Sequence, residues 1–555
     1  MLSESEFDPE VLIVGAGPVG LALAIELGQR GIRCLVVERN DRVGYNPRAK
    51  LTNVRSREHL RRWGIADALR EASPMPPDYP SNIVFATRLD GPLLARFDNA
   101  FNCKRERNDL YSEEAQWVPQ YTLEEVLRVH ATSFPNVRVR FNSRVEQVSQ
   151  SEHDVLAIVA DTVTGEAAGI RSVYLVGADG GRSTVRDMIG ARMMGQGAFS
   201  RNYNVMFRAP ALASLHRHGP AIQYWLVNAD VPCLMGPMDS QGLWYFIATK
   251  IDDEIDASTV DPREFIRRAT GFDFEMEIVG TDPWVAHRLI ADRYAAGRIY
   301  LAGDACHLHP PFGGFGLNMG LGDAVDLGWK MAATLQGWGG PELLGSYEAE
   351  RRPVHERVLR EAVANYATTG NQLIRPGIEE PGPTGDATRR EVGDIIIATK
   401  VREFKTLGVV LGYCYQDSPI VVPDASEPPP DHFMLYDPTA HPGCLAPHLW
   451  LRDGSSLYDG FGQGFTLLVL DETGADDAHH LTSAAGEIGL PFKIVVPNDN
   501  RLAGRYRARY ALIRPDQHVA WRGDAIPADA RGLLDRVRGA ALRIEGSTPQ
   551  PVAAA

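Results

Sequence analysis

The stretch that most restricts the fold is Val11 to Asn40, "VLIVGAGPVGLALAIELGQRGIRCLVVERN". A four-residue apolar run ends in glycines, and a helical pattern follows with Leu21, Ala24, Ile25 and Leu27 on one side. A second apolar run, "CLVVE", closes the unit. Strand, helix and strand within about 30 residues make a βαβ crossover, which requires a parallel sheet. The turn carries Gly15-x-Gly17-x-x-Gly20, with Pro18 and Val19 between the last two glycines. Such glycines allow a tight turn and close approach to a pyrophosphate, and the helix N-terminus offers N–H groups and partial positive charge. Glu38, followed by Arg39, ends the second strand 18 residues past Gly20, placed to accept hydrogen bonds from a ribose. An ADP-bearing cofactor is expected; the alternative is a turn of purely structural use.

Two later runs fit the same sheet, "SVYLVGADGG" from Ser172 and "RIYLAGDA" from Arg298, both apolar on both faces as buried parallel strands are. The first places Asp179 and Arg182 at its end, the second Asp304. Between them "YNVMFRAPA", "AIQYWLVN" and "GLWYFIATK" alternate and carry aromatics, the pattern of antiparallel strands in an inserted second domain. From about Gly313 the chain turns helical. A Pro-rich segment, "DASEPPPDHFMLYDPTAHPG", reads as a linker to a separate α/β module containing "GFTLLVLD", "PFKIVVPND" and "YALIRPDQHVAWRG".

A chain of 555 residues is too long for one core, so two or three domains are expected. The formal charge of −14 argues against a nucleic-acid partner, although Arg48, Arg55, Arg57, Arg61 and Arg62 form a local basic cluster. No run reaches the roughly 18 apolar residues a membrane span needs, and the acidic N-terminus lacks an apolar signal region. Six scattered cysteines without a C-x-x-C pair read as unpaired thiols of a reducing compartment, so a cytoplasmic location is expected.

"GDACHLHPPFGGFGLNMG", Gly303 to Gly320, can be read as a metal site or as a loop lying against a flat ligand. Neighbouring side chains on an extended loop point opposite ways, and no distant cysteine cluster completes a tetrahedral set, so no metal is expected at Cys306, His307 and His309. Cys306 reads as a small buried hydrophobe and His307 as a loop-fixing histidine. With "GAGPVG", "VGADGGRSTVR" and "GRIYLAGDACHLHPPFGGFGLNMGLGDAVDLGWK" in order, the chain resembles the group A, single-component FAD-dependent aromatic hydroxylases over essentially its whole length. The C-terminal module looks like the thioredoxin-like appendage of the phenol and polyketide hydroxylase branches.

That resemblance implies an α/β fold: a Rossmann-like FAD-binding domain (1–80, 115–190 and 285–400), an inserted, mainly antiparallel substrate domain (81–114 and 191–284) and a thioredoxin-like domain (430–555). It implies FAD held by Gly15, Gly17, Pro18, Val19, Gly20, Glu38, Arg39, Arg48, Gln120 and Asp304, with backbone amides near Gly316, Leu317 and Asn318 at the flavin ring. NAD(P)H would reduce the flavin, O2 would add at C4a, and the resulting hydroperoxide would hydroxylate a phenolic aromatic in a dry cavity. Candidate cavity walls are Tyr203, Met206, Tyr224, Trp225, Met235, Trp244 and Pro311, and a group facing the substrate hydroxyl is sought among Tyr224, Gln223 and His216. The C-terminal module, without C-x-x-C, is expected to pack or to form a homodimer rather than to exchange disulfides. Competing readings are a hydroxylase of a polyketide-like scaffold, a flavin-dependent halogenase or epoxidase, the W-x-W-x-I-P stretch of the halogenases being missing, and an inactive flavin-binding interaction protein.

Overall fold

The computed structural model describes residues 7–41, 49–249, 261–366, 370–471 and 478–541. Its first sheet has six strands in the order Ala295–Ala296, Ile299–Leu301, Tyr174–Gly177, Val11–Val14, Cys34–Val37 and Val137–Arg140. All pairings are parallel except the edge hairpin of Ala295–Ala296 with Ile299–Leu301. Every residue of Val11–Val14 and of Cys34–Val37 is buried, because helices cover one face and a three-stranded antiparallel sheet, Ser143–Gln150, Val155–Asp161 and Ala167–Ser172, packs on the other, so that no side of these strands meets water. The helix Pro18–Gly28 packs on the sheet and against the long helix Phe315–Leu335. At their crossing a side chain on Gly328 would strike Glu26, and at the end of the first helix one on Gly28 would strike Val137 and Phe134.

The second sheet has eight strands, in the order His307–Leu308, Glu277–Ala291, Met193–Arg208, Leu243–Thr249, Cys233–Pro237, Gln223–Leu226, Ile83–Ala86 and Leu93–Phe97. It is antiparallel apart from the pairing of Gln223–Leu226 with Ile83–Ala86. Its two faces feed two different cores. Tyr203, Val205, Phe207, Tyr224, Met235, Trp244 and Phe246 pack on one side with the helix Pro262–Thr270. Ile222, Trp225, Leu234 and Tyr245 pack on the other, with Leu51, Phe312, Phe315 and Met319 from the first domain.

The C-terminal part forms a four-stranded sheet ordered Phe492–Val495, Phe465–Val469, Tyr510–Ile513, Val519–Gly523. The first two strands are parallel, the last two antiparallel, and the helices His479–Glu487, Arg501–Tyr506 and Ala530–Val537 complete a thioredoxin-like arrangement. It is not a detached module. Arg514, fully buried, reaches Glu350 at 2.5 and 2.8 Å, Asp326 at 3.2 Å and Asp516 at 2.6 Å, while Lys330 bridges Asp326 at 2.7 Å and Glu350 at 2.5 Å. Three carboxylates thus share two cations. Arg514 and Lys330 hold the Glu350 carboxyl down at about 2 against its burial, whereas burial and the neighbouring Glu350 charge push Asp326 well up.

Two expectations need correction. Cys414 and Cys444 are not unpaired: an isolated antiparallel bridge brings them together and they form a disulfide. Spacing along the chain does not reveal a bridge made by two irregular segments crossing. The arginine cluster is also not a basic surface. Arg55 pairs with Glu58, Arg57 and Arg61 with Glu113, and Arg62 with Glu26, and Arg55 and Arg57 are buried.

Arg514→Met removes one of two cations facing three buried carboxylates. A loss of about 3–5 kcal/mol is expected, read by chemical denaturation of the full chain with Arg509→Met as the control.

Candidate active site

Three loops leave the carboxyl edge of the first sheet at one place. The first follows Val11–Val14, where Gly15 has φ +109° and a Cβ there would lie 2.4 Å from the carbonyl oxygen of Ala178, at the end of the neighbouring strand. Gly20 sits in the helix above, where a Cβ would lie 2.0 Å from the carbonyl oxygen of Gly15. Gly17 differs: it caps the helix Pro18–Gly28, and a Cβ on it would meet nothing within 4 Å. Two glycines therefore let backbone pack on backbone, and the third leaves space outside the helix N-terminus. Glu38 accepts from the Ala16 amide at 3.0 Å and from the Asn40 side chain at 2.6 Å, which ties the second strand's end to this turn. Arg39 is exposed beside it.

The second loop follows Tyr174–Gly177. Asp179 accepts from the Thr184 and Val185 amides at 2.7 and 3.2 Å and fixes the entry of a short helix, while Arg182 is exposed. The third is the turn Gly303–Ala305, which holds Asp304 outward at the surface. Val19 wedges between this turn and the long helix: a Cβ on Gly303 or Gly320 would lie 2.8 or 2.5 Å from its Cγ2. The helix Phe315–Leu335 begins after Gly313 and Gly314, both at positive φ. Gly316 and Leu317 lie in its first turn, where amides have no intrahelical acceptor, and a Cβ on Gly316 would meet nothing within 4 Å. Asn318 turns its side chain inward, accepting from Asn53 N at 2.9 Å and donating to Leu51 O at 2.9 Å and Gly314 O at 2.7 Å. Only its main chain is left to face the open side.

Gln120 stands at the start of the helix Gln120–Ser133 and clasps Ala49 in both directions, through Oε1 from Ala49 N at 3.2 Å and through its own amide to Ala49 O at 3.0 Å. Arg48, the residue before Ala49, lies outside the described residues.

Behind the third loop sits a buried carboxylate, Asp323. It accepts from Gly303 N at 3.0 Å, Arg351 Nε at 2.8 Å and the Nε2 atoms of His307 and His355, each at 2.8 Å. Arg351 and the two imidazoles keep its carboxyl well below the usual carboxylate range despite burial. The Tyr294 hydroxyl donates to His355 Nδ1 at 2.8 Å, which leaves Nε2–H to donate to Asp323 and makes His355 a neutral ring. Burial lowers its pKa to about 3. Cys306, His307 and Asp323 bring ligand-type atoms within 4.8 Å of one another. Those atoms are already engaged, His307 with Asp323 and Cys306 Sγ with Gly303 O at 3.4 Å, and burial holds the thiol well above its usual range.

Strand alternation divides the proposed cavity walls. Met206 and Trp225 point toward the loop Phe312–Phe315, and Trp225 lies 6.3 Å from the Phe312 ring. Tyr203, Tyr224, Met235 and Trp244 point to the far core. This overturns Tyr224 and His216 as groups facing a substrate. The Tyr224 hydroxyl donates to Gly219 O at 2.6 Å, and His216 packs edge-on against Tyr224 at 4.9 Å, all behind the sheet. Gln223, one residue from Tyr224 on the same strand, shares the near face with Trp225. Pro311 is exposed and its carbonyl closes the turn by accepting from Gly314 N. A cleft lined by Tyr79, Cys103, Trp117 and Ile222 opens beside the near face without touching Gly17 or Gly316. A residue that motif reading missed, Lys50, stands over the Tyr245 ring on this face. Its only sequence signal is a lysine inside a run that otherwise becomes buried.

An FAD binding domain model matches residues 8–362, and an aromatic-ring hydroxylase C-terminal model matches residues 439–541. A protein of Streptomyces halstedii named as a polyketide hydroxylase is 32% identical over 564 residues, covering 94% of each chain. A 4-methyl-5-nitrocatechol 5-monooxygenase of a Burkholderia species is 31% identical, covering 97% of this chain and 98% of its own. The rebeccamycin biosynthetic enzyme RebC, solved with reduced flavin, superposes with a TM-score of 0.88 at 36% identity, covering 96% of this chain and 99% of that one. The chain belongs to the FAD-binding aromatic-ring hydroxylase family. It is a flavoprotein aromatic monooxygenase with FAD as its cofactor.

The neutral state of His355 sets an acid limit on this site. Its folded pKa, about 3, lies below the ordinary 6.5, so between those values the unfolded chain binds the extra proton and stability falls with pH. The expected slope is about 1.4 kcal/mol per pH unit for this one group. Denaturation midpoints followed across that window check it, and His355→Gln should remove that share of the slope.

Proposed function

We propose that this enzyme hydroxylates a phenolic aromatic ring with NAD(P)H and O2. The observation that carries the proposal is the convergence on Val19 of two helix N-termini and an outward Asp304, with open space outside Gly17 and Gly316. These features suit FAD. The turn Gly15–Gly20, with Pro18 and Val19, would take its pyrophosphate, Glu38 and Arg39 its adenosine ribose, and Asp304 its ribityl chain. The amides of Gly316, Leu317 and Asn318 would face the ring, whose reduced form is anionic and favoured by a helix N-terminus. Arg48 and Gln120 would close the cofactor loop over it. Bound there, FAD supplies hydride acceptance and oxygen activation. The chain's own task is to orient the substrate between Trp225, Met206 and Phe312 and to keep water out.

A phenolic substrate is supported by the named activity of the Burkholderia relative, and a polyketide-like scaffold by the name of the Streptomyces one. We propose the phenol as the reacting unit in either case. A cytoplasmic location is proposed on the four cysteines that remain thiols, three of them buried. A role for the C-terminal domain in forming a homodimer is proposed with it. Among the described residues no helix is long and apolar enough to cross a membrane.

Anaerobic stopped-flow reduction by NADPH or NADH, with and without a panel of phenols, tests the reaction. At least one phenol should speed flavin bleaching and emerge hydroxylated after O2 is admitted; a panel without effect rejects the phenol assignment. A glycine pair tests the cofactor's position. Gly17→Ala should leave the apo chain within about 0.5 kcal/mol of the parent yet lower FAD retained after dialysis, because its Cβ enters open space. Gly20→Ala should destabilise the apo chain itself, because its Cβ strikes Gly15 O.

A further inference from the structure

Lys50 is held where no described residue gives it a countercharge. Its main chain is fixed: Lys50 O accepts from Val118 N at 2.7 Å, and the next residue, Leu51, packs under Gly314 and accepts from Asn318 Nδ2. The segment is thereby stapled to the first turn of Phe315–Leu335. The side chain crosses to the second sheet, where Nζ stands 4.1 Å from the centroid of the Tyr245 ring. Tyr245 lies over Gly236 on the adjacent strand, where a Cβ would come within 3.0 Å of the ring, and its hydroxyl donates to Ile222 O at 3.3 Å. The phenol ring is thus a fixed platform rather than a mobile cover.

Among the described residues no carboxylate pairs with Lys50. A cation over an aromatic face gains about 0.5–2 kcal/mol, far less than full desolvation of an ammonium costs. Burial accordingly lowers the Lys50 pKa to about 8, with no neighbouring charge acting against it. Lys50 is half-buried, and so are Asn204, Met206 and Ile247 on the sheet face that it meets. Met206 is the register partner of Tyr245, and Asn204 of Ile247. These strands are central in their sheet, so that exposure marks a hollow and not an edge. Asn204 Oδ1 is shielded from water in this hollow and has no hydrogen-bond partner. A cation and an amide oxygen on one wall thus stand without a polar partner among the described residues.

We propose that the Lys50 ammonium binds the ionised hydroxyl of the aromatic substrate and so selects phenolate over phenol in the cavity. The O–H bond breaks with its electron pair left on oxygen, the proton leaves to water through the cavity mouth, and the ammonium keeps its own proton. The charge enriches the ring that is to be attacked. The proposal rests on the hydroxylase reading above and extends it to the form of substrate bound.

The test uses FAD-loaded wild type, Lys50→Met and Lys50→Arg, with 4-nitrophenol as probe and its methyl ether, 4-nitroanisole, as the comparator that cannot ionise. Difference spectra are taken below the pH at which free nitrophenol ionises. Wild type should show the phenolate band and prefer nitrophenol to nitroanisole by about tenfold or more, the yield of one charge-assisted contact. Lys50→Arg should keep both; Lys50→Met should lose both while retaining FAD. A Lys50→Met protein that shows the band and the preference overturns the proposal, as does a wild type that shows neither. So does a Lys50→Met protein changed only in flavin spectrum or in reduction without phenol, which would place the cation at the cofactor. A wild type that retains no FAD would instead overturn the hydroxylase reading.

Discussion

A single buried carboxylate, Asp323, holds together the parts that make the site. It belongs to the helix Phe315–Leu335, yet it accepts hydrogen bonds from the turn that carries Asp304, from His307 on the flavin loop and from Arg351 and His355 on the following long helix. A lone buried carboxylate would be too costly to keep ionised; four donors, one of them a permanent cation, make it tolerable. The consequence is geometric. The helix whose first turn faces the cavity cannot shift without breaking contact with the turn that presents Asp304, so both ends of an extended ligand meet one rigid body. Val19, pinned between Gly303 and Gly320, adds the N-terminus of Pro18–Gly28 to the same body.

The same helix also carries the C-terminal domain. Asp326 and Lys330 lie one turn and two turns beyond Asp323, and the buried Arg514 reaches both Asp326 and Glu350. Trp329 packs against Phe465 of that domain at 6.1 Å. A domain without a redox motif thus contributes through the back of the helix whose front faces the ligand. Its nearest service is to exclude water from the ion cluster, since exposure would loosen the network that sets the helix's position.

What the sequence disclosed follows from which physical signals are local. Gly15, Gly17 and Gly20 are legible because a backbone that must pass close to another backbone permits one residue type, and the strands around them are apolar on every face. The α/β character of the last domain was readable from three apolar runs with a helical stretch between them, whereas its thioredoxin-like arrangement came with the family resemblance. Strand alternation in the second sheet separated Tyr224 from Trp225, but period two says only that they face opposite ways. Which face meets the cofactor is decided by Leu51 and Phe312, more than 80 residues away on either side. His216 failed for that reason, and Cys414 with Cys444 because their pairing joins irregular segments. Lys50 is the opposite case. Its significance is the absence of a partner, and absence leaves no mark in a motif.

The charge of the whole chain sharpens the role of such positions. At −14 the protein repels anions at long range, but at physiological salt that field decays over about 8 Å. A pyrophosphate, a reduced flavin and a phenolate are all anions, so each must be recognised by charge within contact distance. In the proposed placement of FAD the first two would meet backbone dipoles, which cost no desolvation because helix ends carry them anyway. The phenolate proposed at Lys50 would lie on the sheet side of the cavity, over the Tyr245 ring. There the chain needs a full side-chain charge. Among the described residues, Arg55, Arg57, Arg61 and Arg62 are already spent on Glu58, Glu113 and Glu26, Lys400 over the Trp225 ring is spent on Glu403, and Lys50 is a near-face cation with no carboxylate beside it.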